Sequence, residues 1–251
     1  FLTGTQGIAG ELENNFYNYN NIDLYADYNL ELLEGKLSAR PALAYQRAYI
    51  DDREYTVDKG ENGNFNGEGE INSYAFSMKL EAKPSDKLRF IVAGRADKFN
   101  FPDKFVPSYQ VIANYSPSAN HILRAIMSSS SNSSFTVPTL LNQTNSLGPG
   151  TILQISGNGD LDLLRNVAYE FGYRGNLWEN TIIDINFANQ TFQNYSTFIA
   201  QLPVFTFDQT TGAPLSAEFP FIAQNLPLVV KQNSVTFSLN GNYLENKLLF
   251  K

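Results

Sequence analysis

Residues 22–32 read IDLYADYNLEL. Ile22, Leu24, Ala26, Tyr28, Leu30 and Leu32 alternate with Asp23, Tyr25, Asp27, Asn29 and Glu31, an apolar set against an acidic one. A period of two sends successive side chains to opposite faces of a β-strand, whereas a helix repeats its faces at spacings of three and four. Glu34-Gly35 marks a turn. In the following segment, Lys36 to Ala48, Leu37, Ala39, Leu43 and Tyr45 fall on one side and Ser38, Arg40 and Gln46 on the other. Pro41 counts against a strand there, because proline has no N–H to give a sheet ladder.

The same pattern recurs outward from this hairpin. Tyr74, Phe76, Met78 and Leu80 alternate with Ser73, Ser77, Lys79 and Glu81 before Pro84-Ser85-Asp86. Leu88, Phe90 and Val92 alternate with Arg89, Arg95 and Asp97. Tyr109, Val111, Ala113 and Tyr115 lead to Ser116-Pro117-Ser118, and His121 to Ser129 returns. Val167, Tyr169, Phe171 and Tyr173 lead to a turn at Gly175-Asn176 with Trp178, and Ile183, Ile185 and Phe187 return. Val235, Phe237, Leu239 and Tyr243 precede Glu245-Asn246 and a last strand. About ten strands result, each near the length that crosses a bilayer as part of a barrel. Short turns near residues 34, 85, 118, 177 and 245 alternate with long connections at 50–71, 99–107, 130–165 and 193–233. Outer-membrane barrels have this asymmetry, with short periplasmic turns and long external loops. A soluble sandwich has no reason to lengthen every second loop.

Of the 251 residues, 43% are hydrophobic, 14% aromatic and 17% charged. Mean hydropathy is nevertheless −0.27, because Asn, Ser, Gln and Thr supply polarity. No apolar run approaches the ~20 residues of a membrane helix, a length that barrel strands do not require. With no cysteine, disulfides, thiolate metal sites and cysteine nucleophiles are excluded. The net charge of −7 argues against a nucleic-acid partner. Tyr115, Tyr173, Trp178 and Tyr243 fall at the short-turn ends and Tyr45, Tyr74 and Tyr109 toward the long connections, the two levels where amphipathic rings meet bilayer interfaces. The fold expected is all-β, an antiparallel transmembrane β-barrel. The chain opens at Phe1 and stops at Lys251 inside an expected strand, so residues 1–251 are expected to form part of a larger barrel and not to close alone.

Several stretches in order resemble the barrel of TonB-dependent receptors of the Bacteroidetes kind. Pro84-Ser85-Asp86-Lys87-Leu88 leads to Arg95-Ala96-Asp97-Lys98-Phe99, similar to an R-x-D-x-F/Y strand end. Asn114-Tyr115-Ser116-Pro117 with His121 and Arg124 is similar to a Y-x-P-x-x-x-H-x-x-R hairpin. Ser134-Phe135-Thr136-Val137-Pro138-Thr139 is similar to S-F-R-x-P-T, with Thr136 in place of arginine. Tyr169-Glu170-Phe171-Gly172-Tyr173-Arg174-Gly175 resembles Y-E-x-G-Y-R/K-G. Where the family often has N-P-x-L-x-P-E, Asn158-Gly159-Asp160-Leu161-Asp162 lacks both prolines. The resemblance spans roughly residues 22–192. It implies a barrel of about 22 strands, of which this chain holds under half. It also implies an N-terminal plug domain and TonB box, neither of which is visible in the chain.

On the strand faces, Arg95, Asp97, Arg124, Glu170, Arg174 and Asp184 alternate with apolar residues and are expected to point into the lumen, since a charge facing lipid costs about 2–4 kcal/mol near the midplane. There they are expected to pair with each other, touch a plug or guide a solute. The connection from Asn194 to Leu228 carries Phe205, Phe207, Phe219 and Phe221, external-loop candidates for contact with a ligand or partner. Asp51, Asp52, Glu54, Asp58, Glu61, Glu68 and Glu70 gather carboxylates that hard cations favour. They lack D-x-D-x-D-G spacing, and a solvated loop is expected. His121, the sole histidine, is expected to be structural or interfacial. Ser128 to Ser134 lacks the G-x-S-x-G elbow and is expected to begin a flexible external loop. No metal, cofactor or catalytic site is expected.

The function expected is that of a TonB-dependent outer-membrane receptor in a Gram-negative cell, taking up a metal chelate, glycan or peptide. Its expected partners are outer-membrane lipid, TonB through an N-terminal region outside this chain, and a surface lipoprotein. The alternative is an outer-membrane barrel with a scaffolding role in a larger assembly. A soluble carbohydrate-binding β-domain stands behind these, and a barrel hydrolase last.

Overall fold

Residues 5–6, 11–12, 17–56, 64–65, 67–132, 136–178, 181–243 and 248–250 are described by a computed structural model. The chain begins with the paired β1 (Thr5–Gln6) and β2 (Glu11–Leu12). Then follow β3 (Asn18–Asp27), β4 (Leu30–Leu32), β5 (Leu37–Asp51), α1 (Arg53–Thr56), β6 (Glu68–Ser85), β7 (Leu88–Phe99), β8 (Phe105–Ser118) and β9 (His121–Ser131). The next connection contains α2 (Thr136–Leu140), β10 (Asn142–Gly148) and β11 (Thr151–Ser156). After β12 (Arg165–Trp178) and β13 (Thr181–Gln193) come β14 (Ser196–Ala200), β15 (Val204–Phe207) and β16 (Pro214–Asn225). β17 (Val230–Tyr243) and β18 (Leu248–Phe250) end the chain.

Eleven of these strands form one antiparallel sheet in the order β18-β17-β13-β12-β9-β8-β7-β6-β5-β3, with β4 continuing β3 along β5. Every neighbour in this wall is the next wall strand along the chain, so the sheet is a meander. From β5 to β17 its strands run from 11 to 18 residues. Strands in globular proteins usually stop near five or six, while a bilayer needs about 9–11.

Proline does not break β5. Tyr28 N–H donates to the Pro41 carbonyl (3.1 Å), but Pro41 has no N–H to return. The neighbouring strand is therefore interrupted at residues 28–29, between β3 and β4, while β5 itself continues. The other turn-like prolines also lie within strands. Register shifts fall between Ala82 and Ser85 and between Tyr115 and Ser118, so Pro84 and Pro117 occupy bulges and the chain reverses at 86–87 and 119–120. Proline is tolerated where the ladder is already interrupted. β12 likewise runs past Gly175-Asn176 to Trp178. A shift between Asn176 and Trp178 pairs Trp178 with Thr181 and puts it on the face of Tyr173 rather than that of Arg174.

The two longest connections are not bare loops, as the sequence suggests. They build a second sheet, β10-β11-β16-β14, with β15 on β16. β11 and β16 pair in parallel, joining a strand from the β9–β12 connection to one from the β13–β17 connection. Four of the six serines of this run are also ordered strand: Ser128–Ser131 end β9, and buried Ser129 accepts a hydrogen bond from Arg165 Nε (3.1 Å). Residues 133–135 lie outside the described residues.

Candidate functional site

Register determines which side chains share a face. One face of the wall carries Leu24, Phe76, Phe90, Val111, Phe171, Ile185 and Phe237, all between 37 and 62% exposed. Tyr45 and Tyr74, opposite one another on β5 and β6, bring their rings to 5.0 Å. At the short-turn end of this face the His121 Nδ1 lies 2.8 Å from the Tyr173 hydroxyl, with the rings stacked. Both lie over Gly175, where a Cβ would stand 2.3 Å from that hydroxyl and 2.8 Å from Nδ1. His121 thus belongs to an aromatic rim. An exposed apolar surface as broad as this sheet is untenable in water and requires an apolar solvent or partner.

The opposite face is polar. Arg95 and Asp97 stand on β7. Arg124 on β9 faces Gly172 on β12, which faces Asn186 on β13, and Glu170 and Arg174 flank Gly172 along β12. Asp184 is the register partner of Arg174. All six charged residues picked from the sequence therefore share one face. They do not share one environment. On the β3–β7 side, charges pair within the sheet. Arg40 holds Asp27 through two bonds (2.8 and 2.9 Å), Arg89 holds Glu81 through two (both 2.9 Å), and Arg95 holds Asp97 (2.6 Å). Arg124, Glu170, Arg174 and Asp184 form no ion pair among the described residues, and Asn186 Oδ1 is buried without a hydrogen-bond partner. An open pocket of about 450 Å³ lies on the paired side, lined by Tyr25, Arg40, Ser77, Arg95, Gln110 and Ser130 among others.

The described ends of the acidic connection after β5 are held by specific partners. Asp52 is fully buried, and its carboxylate accepts from Phe65 N–H (2.6 Å) and Gly67 N–H (2.8 Å), closing the base of the connection. Asp51 and Glu68 bind Arg53, and Glu70 binds Arg47. Asp58 and Glu61 lie outside the described residues. Asp51, Asp52, Glu68 and Glu70 are committed to guanidinium or backbone partners, and among the described residues no group of acids is arranged to hold a metal.

The four phenylalanines fall on the second sheet. Phe205 faces Ala217, Phe219 faces Leu153 and Phe221 faces Ile155, so one side of this sheet carries aromatic and aliphatic side chains together. Sequence reading missed how this sheet is fixed. Asn225 accepts from Asp162 N–H (2.7 Å) and donates to the carbonyls of Asp162 (2.9 Å) and Asn194 (3.2 Å). Asn158 donates to the Ala223 carbonyl (3.2 Å), and Gly157 leaves only 2.6 Å between a Cβ and the Thr139 backbone. The segment Asn158–Asp162, which departs from the pattern lacking its prolines, is thus the junction between the two sheets. Its side-chain amides, frequent elsewhere in the chain, gave no signal of this.

The description of the TonB dependent receptor-like β-barrel matches residues 2–243. The chain belongs to this family. TonB-dependent receptor barrels lie in the Gram-negative outer membrane, where lipid supplies the apolar environment that one face of the wall demands. No curated protein sequence matches the chain. Its fold is similar to the siderophore receptor PirA of Acinetobacter baumannii, with TM-score 0.73 and 13% identity, covering 96% of this chain and 38% of that one. It is also similar to the ferric enterobactin receptor PfeA of Pseudomonas aeruginosa (TM-score 0.64, 13% identity, 90% and 33%). The outer-membrane transporter YddB of Escherichia coli is a third (TM-score 0.64, 12% identity, 90% and 31%). The chain thus spans about a third of each of these structures.

Proposed function

We propose that residues 1–251 are one stretch of the wall of a larger TonB-dependent receptor barrel that takes up a nutrient ligand, and that they act by enclosing a path and not by catalysis. The observation that carries this reading is the sorting of the wall into an apolar face and a polar face across all its long strands, in a member of this family. In this reading the apolar face meets lipid. The polar face, with Arg95, Asp97, Arg124, Glu170, Arg174 and Asp184, lines the lumen. Charge inside costs little where water or a polar surface meets it, whereas on lipid it would cost about 2–4 kcal/mol. The remaining strands, a plug domain and the TonB contact come from elsewhere in the polypeptide. That division is supported by the one-third share of the solved receptors that this chain covers. The long connections lie outside the cell, and Phe205, Phe207, Phe219 and Phe221 meet the incoming ligand.

Deleting the gene, and separately deleting TonB, tests this in cells grown on an array of single carbon, nitrogen and iron sources. A growth defect shared by both deletions on the same source is expected. A defect from the gene deletion alone points to passive passage. No nutrient-specific defect, together with loss of a protein assembly from the outer membrane, points to scaffolding.

A further inference from the structure

The sequence contains no Lys, Arg or His between Arg124 and Arg165, nor between Arg174 and Lys231. All five strands of the second sheet are drawn from these two stretches. From Asn142 to Ser156 there is no charged residue, and from Ser196 to Asn225 only Asp208 and Glu218. The wall is different, with Arg40, Lys79, Arg89, Arg95, Arg124 and Arg174 on its polar face.

On the sheet that lacks cations, aromatic rings are exposed. Phe205 and Phe207 are 51 and 56% exposed, with ring centroids 6.5 Å apart at 39°. Phe219, on the same side, is 37% exposed. Unengaged amides and a hydroxyl lie elsewhere on this sheet and in the turn after Phe207. Gln143 is the register partner of Ile155 and shares its face, and Gln209 and Thr210 directly follow Phe207. Their side chains have no hydrogen-bond partner among the described residues.

We infer that this sheet is a recognition platform for a neutral oligosaccharide, whose sugar rings stack on Phe205, Phe207 and Phe219 and whose hydroxyls bond to Gln143, Gln209 and Thr210. The inference rests on the proposed external position of the long connections. An anionic ligand, a ferric chelate for instance, lands where cations offset its charge, and here it would meet none and two carboxylates. A purely apolar ligand would bury these amides and the hydroxyl without partners, at a cost for each. A sugar satisfies both halves of the surface, because its ring faces present C–H groups and its edges present hydroxyls. The likeness to siderophore receptors is one of fold at 13% identity and carries no ligand with it.

The test is binding to the full-length protein in detergent, using an array of neutral oligosaccharides (glucans, xylans, mannans and galactans) and ferric enterobactin as the anionic comparator. Binding to at least one neutral glycan is expected, and none to ferric enterobactin. The double variant F205A/F207A should weaken glycan binding by roughly tenfold or more, as loss of central aromatic contacts does. F205W/F207W should stay within about threefold of the parent, since it keeps the stacking surface and serves as the control for folding. Failure of every neutral glycan, an affinity unmoved by the double alanine variant, or binding of ferric enterobactin overturns the inference. TonB-dependent uptake of a ferric chelate would overturn it too and leave the transporter reading standing. Growth unaffected by TonB loss would overturn the transporter reading whichever ligand binds.

Discussion

The wall and the loop sheet use the same residues to different ends. In the wall, every long strand separates apolar from polar, and each strand pairs with the next wall strand along the chain. In the loop sheet both sides carry apolar residues, Phe205 and Phe219 on one and Val204, Ile152 and Ile222 on the other. Its central pairing, β11 with β16, is parallel and joins two separate connections. A sheet held between two immiscible environments must be sorted by face, because a misplaced charge is penalised along its whole length. The loop sheet, in its proposed position beyond the bilayer, is free of that demand. It is held by a few specific hydrogen bonds, those of Asn225 and Asn158 among them. The difference teaches that regular alternation is imposed by the solvent on each face more than by the β-ladder itself.

The largest expected effect separates the two sheets most sharply. Phe171→Arg should destabilise the full-length protein in lipid by about 2–4 kcal/mol, read from its denaturant midpoint. Phe205→Arg should move that midpoint by no more than about 0.5 kcal/mol, the usual range for an exposed site. Equal effects would erase the distinction.

Asp52→Ala comes next. It leaves the Phe65 and Gly67 N–H groups without their acceptor in a buried site, at about 1–3 kcal/mol. Hydrogen exchange should show faster opening at residues 64–70 and unchanged protection in β12 and β13. Asn225→Ala should cost about 1 kcal/mol. That cost should appear in β14 and β16 as roughly fivefold faster exchange, the factor that this energy implies, with the wall unaffected. Spread of either effect across the wall would show that the two sheets unfold together.

The smallest effect concerns the β15–β16 turn. Asp208 Oδ1 accepts from Thr210 N–H (2.8 Å) and Thr211 N–H (2.7 Å). The Thr211 backbone first, then that of Thr210 and the Thr211 hydroxyl, hold its carboxyl below the usual carboxylate value. A depressed folded pKa gives stability that is complete above the ordinary carboxylate range and lost as pH falls through the lowered value. Acidification should therefore loosen the amides of Thr210 and Thr211 in the parent, seen as shifts in their NMR resonances. In Asp208→Ala the same amides should be loose at every pH.

The contrast between the sheets also explains what the sequence revealed. The alternation in residues 22–32, 73–81 and 167–173 marks the wall directly, because two solvents wrote it there. The six charged residues were assigned to one face for the same reason, and they share it. Whether a charge is paired was not legible: Arg95 lies two residues from Asp97 and binds it, while Arg174 faces Asp184 in register and does not. Pro84 and Pro117 read as turns because proline punctuates turns and bulges alike. The loop sheet left little trace, since its parallel pairing has no hairpin to announce it and Asn225 acts on residues 63 positions away. The burial of Asp52 was hidden in a run of acids in which Asp51, Glu68 and Glu70 bind arginines.

The central claim is that one face of the wall meets lipid and the other meets a polar lumen. Residues 1–251 contain no cysteine, so spin labels can be placed one at a time through single cysteines in the full-length protein in outer membranes. Labels at Phe76, Phe90, Phe171, Ile185 and Phe237 should collide with a lipid-soluble relaxation agent. Labels at Ser77, Ile91, Gly172, Asn186 and Ser238 should be shielded from it. Accessibility that fails to alternate along β6, β7, β12, β13 and β17, or that alternates with the opposite phase, would contradict the account.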